Sequence, residues 1–345
     1  MISEKLKIPL IQGGMGIGVS LGRLAGSVAK EGAMGVISTA NPGYMKDNFW
    51  SNPKEANRTA LIEQIKKAKD LSQGKGMIAV NVMVAGCDYE TQVKTALENG
   101  IDAIISGAGL PLHLPEIAKG YKTLLAPIVS SGRAASTICR AWQKKHNRLP
   151  DFIVLEGSMA GGHLGFSLEE LNNKTAKPLM ELLKEVKEVV TTFGSIPIFV
   201  AGGIFSSKQV LEFIKNGAEG VQIATRFIAT EECDASEGYK DTILNAKEES
   251  VIIQSPVGMP GRALRTPLVE RVEREGRIAP KICSNCLLPC NPAQTPYCIT
   301  KALIDAVKGD YENGLFFCSE NITKINKRTT VKELIDELMF DWRNQ

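Results

Sequence analysis

The stretch "IPIFVAGGIFSSKQVLEFIKNGAEGVQIATRF" (residues 196–227) holds a complete strand–helix–strand unit. A β-branched run, "IPIFVAG" (196–202), ends in paired glycines, residues 207–216 carry helical periodicity, and "GVQIA" (220–224) is a second apolar run. Gly217 stands where a left-handed residue closes the helix.

The same rhythm recurs from the start of the chain to about residue 230. The other short runs are "IPLIQ" (8–12), "GVIST" (35–39), "MIAVNV" (77–82), "DAIIS" (102–106), "LLAPIVSS" (124–131) and "FIVLE" (152–156). Helical segments are expected over 21–31, 54–72, 88–99, 133–146 and 179–193, with Gly100 as a second left-handed cap. Eight such units most simply close into a TIM (β/α)₈ barrel. An open doubly wound sheet is the rival, and it needs fewer strands or a Gly-rich fingerprint after the first. "QGGMGIG" (12–18) follows the first strand but lacks the G-x-G-x-x-G spacing and a suitable acidic residue about 20 positions later.

Beyond residue 250 the pattern changes. "SPVGMPGRALRTP" (255–267) has loop chemistry, "LVERVERE" (268–275) is a short charged helix, and "CSNCLLPCNPAQTPYC" (283–298) packs four cysteines into one stretch. The expected division is a barrel over 1–249, a small cysteine-rich lobe over 250–330 and a C-terminal helix over 331–345 packing on the barrel. The lobe's thin apolar content suits an appendage that a bound metal stabilises.

A net charge of +3 and no basic run interleaved with aromatics argue against a nucleic-acid partner. The N-terminal segment lacks the apolar core of a signal peptide, and no apolar run approaches the roughly 20 residues of a membrane helix. A cytoplasmic protein with reduced thiols is expected, where clustered cysteines bind metal or catalyse more often than they pair. The sequence leaves homodimer formation open.

In a barrel enzyme the chemistry sits at the C-terminal strand ends. Here those ends are rich in Gly and backbone donors. The loops after strands seven and eight are the usual phosphate site, so Gly202, Gly203, Ala224 and Thr225 are expected around a phosphate, and one such site suits flavin mononucleotide (FMN). His163, in "GGHLGF" (161–166) after paired glycines, is the candidate acid/base. His113 and His146 read as structural. Glu156 ends strand six and either orients a cofactor or sits in a buried ion pair.

"IPLIQGGMGIGVS", "LAGSVAKEGAMGVIS", "GGHLGF", "IPIFVAGGI" and "GVQIATRF" resemble the nitronate monooxygenase / flavin-dependent enoyl-ACP reductase family, over about residues 8–235. "TEECDA" (230–235), "SPVGMPGRA" (255–263) and "SNCLLPCN…YCI" (284–299) are similar to the Helicobacter-type acyl-ACP dehydrogenase/isomerase branch of that superfamily. The resemblance implies FMN with Gly14, Met15, Asn81, Gly162, Gly203 and Thr225 around it, His163 as acid/base, and a 4Fe-4S iron–sulfur cluster. It implies a fatty acyl substrate on acyl carrier protein. Nitronate oxidation and NAD(P)H-dependent enoyl-ACP reduction are the alternatives.

The thiols themselves leave two arrangements open: Cys283, Cys286, Cys290 and Cys298 within the loop, or Cys233 replacing Cys283. Zinc is the rival metal. With the resemblance, iron–sulfur is expected, on Cys233, Cys286, Cys290 and Cys298. Cys87, Cys139 and Cys318 are expected to pack as small apolar residues.

Overall fold

The computed structural model describes Ile2 and residues 6–345. Its strands are β1 (Leu10–Gln12), β2 (Met34–Ser38), β3 (Met77–Met83), β4 (Ala103–Gly107), β5 (Leu124–Val129), β6 (Ile153–Glu156), β7 (Gly162–His163), β8 (Ile198–Ala201), β9 (Gly220–Ile223), β10 (Val251–Gln254) and β11 (Pro260–Ala263). β1–β6, β8 and β9 form a closed parallel barrel, sealed where Leu10 pairs with Val221 and Ile11 with Met34. The fold is the TIM barrel expected from the sequence.

Strand parity sorts the side chains into two layers. Ile11, Met34, Val36, Met77, Ala79, Ile105, Val154 and Phe199 pack together inside the barrel. The alternate residues Leu10, Ile37, Ile78, Val80, Leu155 and Val200 pack outward beneath the helices. Those helices are capped as their sequences suggest. Ser206 and Gln209 form a capping box ahead of Ser207–Lys215, and Asn52 accepts from Glu55 N ahead of Pro53–Ser72. Gly100 and Gly217 have φ of +66° and +95° at the ends where the sequence places them.

The C-terminal third is grown onto this barrel. β10, β11 and β7 make a small antiparallel sheet, so the segment after β6 is tied to residues 251–263. The expectation that 255–267 is all loop is corrected at Pro260–Ala263. Its Gly and Pro content reads as a turn, but pairing on both edges makes it a strand, with Pro confined to the first position. Ile253, Val257, Leu287, Tyr297 and Ile299 share one apolar cluster with Met83, Ala85 and Ala108 at the barrel's mouth. The helix Val331–Leu338 buries Val331, Leu334, Ile335 and Leu338 in the barrel's outer layer. No helix among the described residues is long and apolar enough to cross a membrane.

"TEECDA" has a structural role in this architecture. The helix Gly22–Lys30 has no capping side chain of its own. Asp234 serves instead: its Oδ2 accepts from Leu21 N at 2.8 Å and Leu24 N at 3.0 Å, and its Oδ1 from Arg23 N at 3.3 Å. Otherwise these donors would lack partners at a half-buried helix end. Asp234→Ala should therefore lower stability by about 1–2 kcal/mol, the usual loss for a helix cap, measured as a shifted denaturant midpoint. A shift within a few tenths of a kcal/mol would show that the cap is redundant.

Candidate active site

Where the inward positions reach the C-terminal rim, apolar residues give way to Gly13, Ser38, Asn81, Gly107, Glu156 and Gln222. These residues line a cavity of about 480 Å³. Gly14, Met15, Gly162, His163, Ala224 and Thr225 also line it, so most of the residues expected around the cofactor come together. The opposite wall belongs to the appended segment: Val257, Met259, Leu287, Ile299, Leu303 and Phe317.

Gly202 and Gly203, expected at the same site, take φ of +95° and +81° at the end of β8 beside the loop that leads to His163. A side chain at Gly202 would strike Gly157 O, and one at Gly203 would strike Met159. Asn321 Nδ2 donates to Gly203 O at 2.8 Å, and Ser319 N donates to Thr225 Oγ1 at 3.0 Å. Residues 319–321 thus cover the strand ends that sequence reasoning assigned to a phosphate.

His163 is held by the β7–β11 pairing, where it lies opposite Gly261. Gly161 lets this loop approach the chain, since a Cβ there would sit 2.4 Å from the Cys318 carbonyl carbon. Gly162 takes φ +76°. The His163 ring meets Phe317 edge-on at 5.1 Å, and Nε2 lies 2.7 Å from Ser255 Oγ. Ser255 Oγ also accepts from Val257 N at 3.3 Å, so the arrangement in which its hydroxyl donates to Nε2 satisfies both groups. Burial lowers the His163 pKa to about 4, leaving a neutral imidazole able to accept a proton. Ser255 was visible in the sequence only as part of a motif. Its role needed the chain brought across from β10.

Three polar side chains on the rim make no hydrogen bond among the described residues: Asn81, Glu156 and Gln222 all face the cavity. No cation among the described residues pairs with Glu156, so of the two roles expected for it the buried ion pair is not seen there. Burial raises its carboxyl to about 8. An amide on each side of a protonated acid offers both donors and acceptors. A flavin's polar groups need both, and these residues fit FMN.

The cysteines divide differently from the expectation. Cys233 is 1% exposed, its thiol donates to Val19 O at 3.3 Å, and it packs with Tyr239 and Phe316. Ser236 N donates to Val307 O at one end of the helix Ile299–Val307, whereas Cys298 caps the other end. Cys233 thus packs in one apolar cluster, whereas Cys286 and Cys290 pack against another. Cys87 is a second correction. It is exposed, not packed, and its N–H donates to Cys286 O at 3.1 Å, which brings it beside the cysteine loop. Among the described residues, no three His, Cys, Asp or Glu side chains are gathered to hold a metal. No chemical step is routed through one here.

The His163 environment can be tested directly. In cofactor-free protein its imidazole resonances should titrate near pH 4, below the ordinary 6.5. The unfolded chain then binds the extra proton between those values, so stability falls as pH drops through that window. An NMR midpoint near 6.5 would show a solvated ring.

The nitronate monooxygenase family profile matches residues 1–341. A probable nitronate monooxygenase of Staphylococcus haemolyticus (strain JCSC1435) is 26% identical over 306 residues, covering 81% of each chain. FabK from Thermotoga maritima superimposes with a TM-score of 0.76 at 26% identity, covering 99% of this chain and 96% of that one. Nitroalkane oxidase from Streptomyces ansochromogenes matches with a TM-score of 0.76 at 18% identity over 99% of both chains, a likeness of fold alone. A matched profile over nearly the whole length, on a barrel whose mouth presents His163 to a flavin-sized cavity, leads to one conclusion: the chain belongs to the nitronate monooxygenase family of flavin-dependent oxidoreductases.

Proposed function

We propose that the protein is an FMN-dependent oxidoreductase of fatty acyl thioesters, delivered on acyl carrier protein, and that it works as a dehydrogenase/isomerase. The observation that carries this reading is the apolar wall opposite the rim. Val257, Met259, Leu287, Ile299, Leu303 and Phe317 flank the space in front of His163. An alkyl chain would bury itself there at roughly 0.8 kcal/mol per methylene. A short nitroalkane would leave most of that wall unused.

FMN, when bound, supplies the hydride acceptor. His163 takes the proton alpha to the thioester carbonyl at Nε2, displacing the Ser255 hydroxyl. Loss of that proton together with a beta hydride leaves a carbon–carbon double bond, so protons and electrons balance. Backbone N–H groups of the Gly-rich loops would carry the developing oxyanion charge. Returning the proton from His163 at another carbon would move the double bond.

Nitronate oxidation is the second reading, favoured by the name of the Staphylococcus relative. Anaerobic addition of decanoyl-ACP should bleach the flavin absorbance, and His163→Ala should retain flavin while losing about two orders of magnitude in turnover. Bleaching by a nitronate but not by the acyl thioester would replace the first reading with the second.

For the cysteine loop we propose an iron–sulfur centre on Cys283, Cys286, Cys290 and Cys298, four thiols on one short segment that are not gathered in this structure and that the cluster itself would have to draw together. Cys286 also lines the cavity. Anaerobically prepared Cys286→Ser should lose iron and acid-labile sulfide, whereas Cys233→Ser should keep both. Zinc without sulfide in the wild type would discard the cluster and leave the flavin chemistry standing.

A further inference from the structure

Glu156 has no part in the proton exchange assigned to His163, yet it faces the same cavity. Its direction follows from strand parity. Val154 belongs to the barrel interior, so Glu156, two residues on, points inward at the rim. Its register partner is Ala201 on β8. Asn81 and Gln222 line the same cavity, and all three side chains lack hydrogen bonds among the described residues. No Lys or Arg among the described residues lines the cavity. Arg262, opposite Gly162 on the β11–β7 ladder, is already engaged. Its Nε donates to Ala160 O at 3.2 Å and its Nη2 to Ser158 O at 3.0 Å, with Glu320 at 3.5 Å.

Resting on the flavin reading above, we propose that Glu156 binds the cofactor as a neutral carboxylic acid, donating its proton to an acceptor oxygen of FMN. An ionised carboxylate offers lone pairs alone. FMN answers with carbonyl oxygens and a phosphate carrying negative charge, so a carboxylate facing them would repel them with no cation nearby to compensate. The protonated acid turns the same position into a donor. Burial raises the Glu156 carboxyl to about 8, which keeps it protonated at neutral pH.

The other titrating groups around the cavity are all shifted away from neutrality. His163 on β7 is lowered to about 4. Burial pushes the Tyr239 phenol and the Cys286 thiol above their ordinary ranges. From β5 and β8, Ile128 and Ala201 are the inward residues, and neither ionises.

Ionisation of Glu156 and flavin binding then oppose each other. The affinity for FMN should be flat below neutrality and fall as pH rises past about 8, approaching a tenfold loss per pH unit, the limit for one linked proton. Glu156→Gln keeps an N–H donor and cannot ionise, so its affinity should not change with pH. Glu156→Ala removes the donor and should bind more weakly at every pH.

The experiment titrates FMN into the flavin-stripped full chain, read by flavin fluorescence from about pH 6.5 to 9.5. Wild type, Glu156→Gln and Glu156→Ala are compared, with circular dichroism confirming the fold at each pH. A wild-type curve that weakens above pH 8 beside a flat Glu156→Gln curve supports the proposal. A flat wild-type curve, or the same slope in both proteins, overturns it. Proton uptake on mixing wild type with FMN at pH 8.5 tests the linkage without any variant, and no uptake likewise overturns it. Failure of the wild type to bind FMN even at pH 6.5 is a distinct result, which removes the flavin reading itself.

Discussion

In a closed barrel each strand can send only alternate residues inward, and the rim is where that inward column meets water. Below the rim the column is Ile11, Val36, Ala79, Ile105, Val154 and Phe199, a packed interior with no room for a ligand. One step further it becomes Gly13, Ser38, Asn81, Glu156 and Gln222, small or polar residues that leave space and unmet hydrogen bonds. The cavity is a consequence of that change of composition at fixed parity. It needs no separate scaffold, and a one-residue slip in any strand would turn a polar rim group outward.

The rim makes only half of the cavity. The other half comes from residues 257–317, beyond the last barrel strand and tied down where β11 pairs with β7. That pairing fixes His163, while Ser255 and Phe317 orient its ring from the same appended segment. Folding of the lobe and alignment of the acid/base are therefore one event. The lobe's buried cluster, which includes Ile253, Leu287, Tyr297 and Ile299, packs against Met83, Ala85 and Ala108 of the barrel. Through Val257, Met259, Leu287 and Phe317 that cluster also walls the cavity and excludes water from the space in front of His163.

The barrel was legible because a period of two and helical periodicity alternate throughout residues 8–224, each unit punctuated by Gly or a cap. His163, Ala224 and Thr225 were picked out for the same reason, because strand ends can be read off the pattern, whereas Gly14, Met15, Asn81 and Gly162 came from the family resemblance; all of them line the cavity. What escaped depends on long-range pairing. Gly202 and Gly203 sit at the expected strand end, but the approach of Asn321 and Met159 to Gly203 is something no local pattern reveals. "TEECDA" suggested a ligand through Cys233, whereas its structural work is done by Asp234 across more than 200 residues. Cys87 looked like filler until the bridge between Gly86 and Leu287 brought it to the cysteine loop.

Charge is the remaining discriminator between substrates. His163 is neutral because burial disfavours its cation, and Glu156 is neutral because burial disfavours its anion, so two opposite shifts leave a cavity near zero net charge. No Lys or Arg among the described residues lines it. A nitronate is an anion, and moving an anion into such a site without a paired cation or several donors is costly. An acyl thioester is neutral and carries an alkyl chain that the lobe's apolar wall can bury. Its charge appears only as the alpha proton departs, when His163 becomes cationic beside it. The ion pair is then made inside the cavity and need not be carried in from water. On the acyl-thioester reading proposed above, donors aimed at the developing oxyanion are what would stabilise that separation, since neither charge has a fixed partner in the cavity wall.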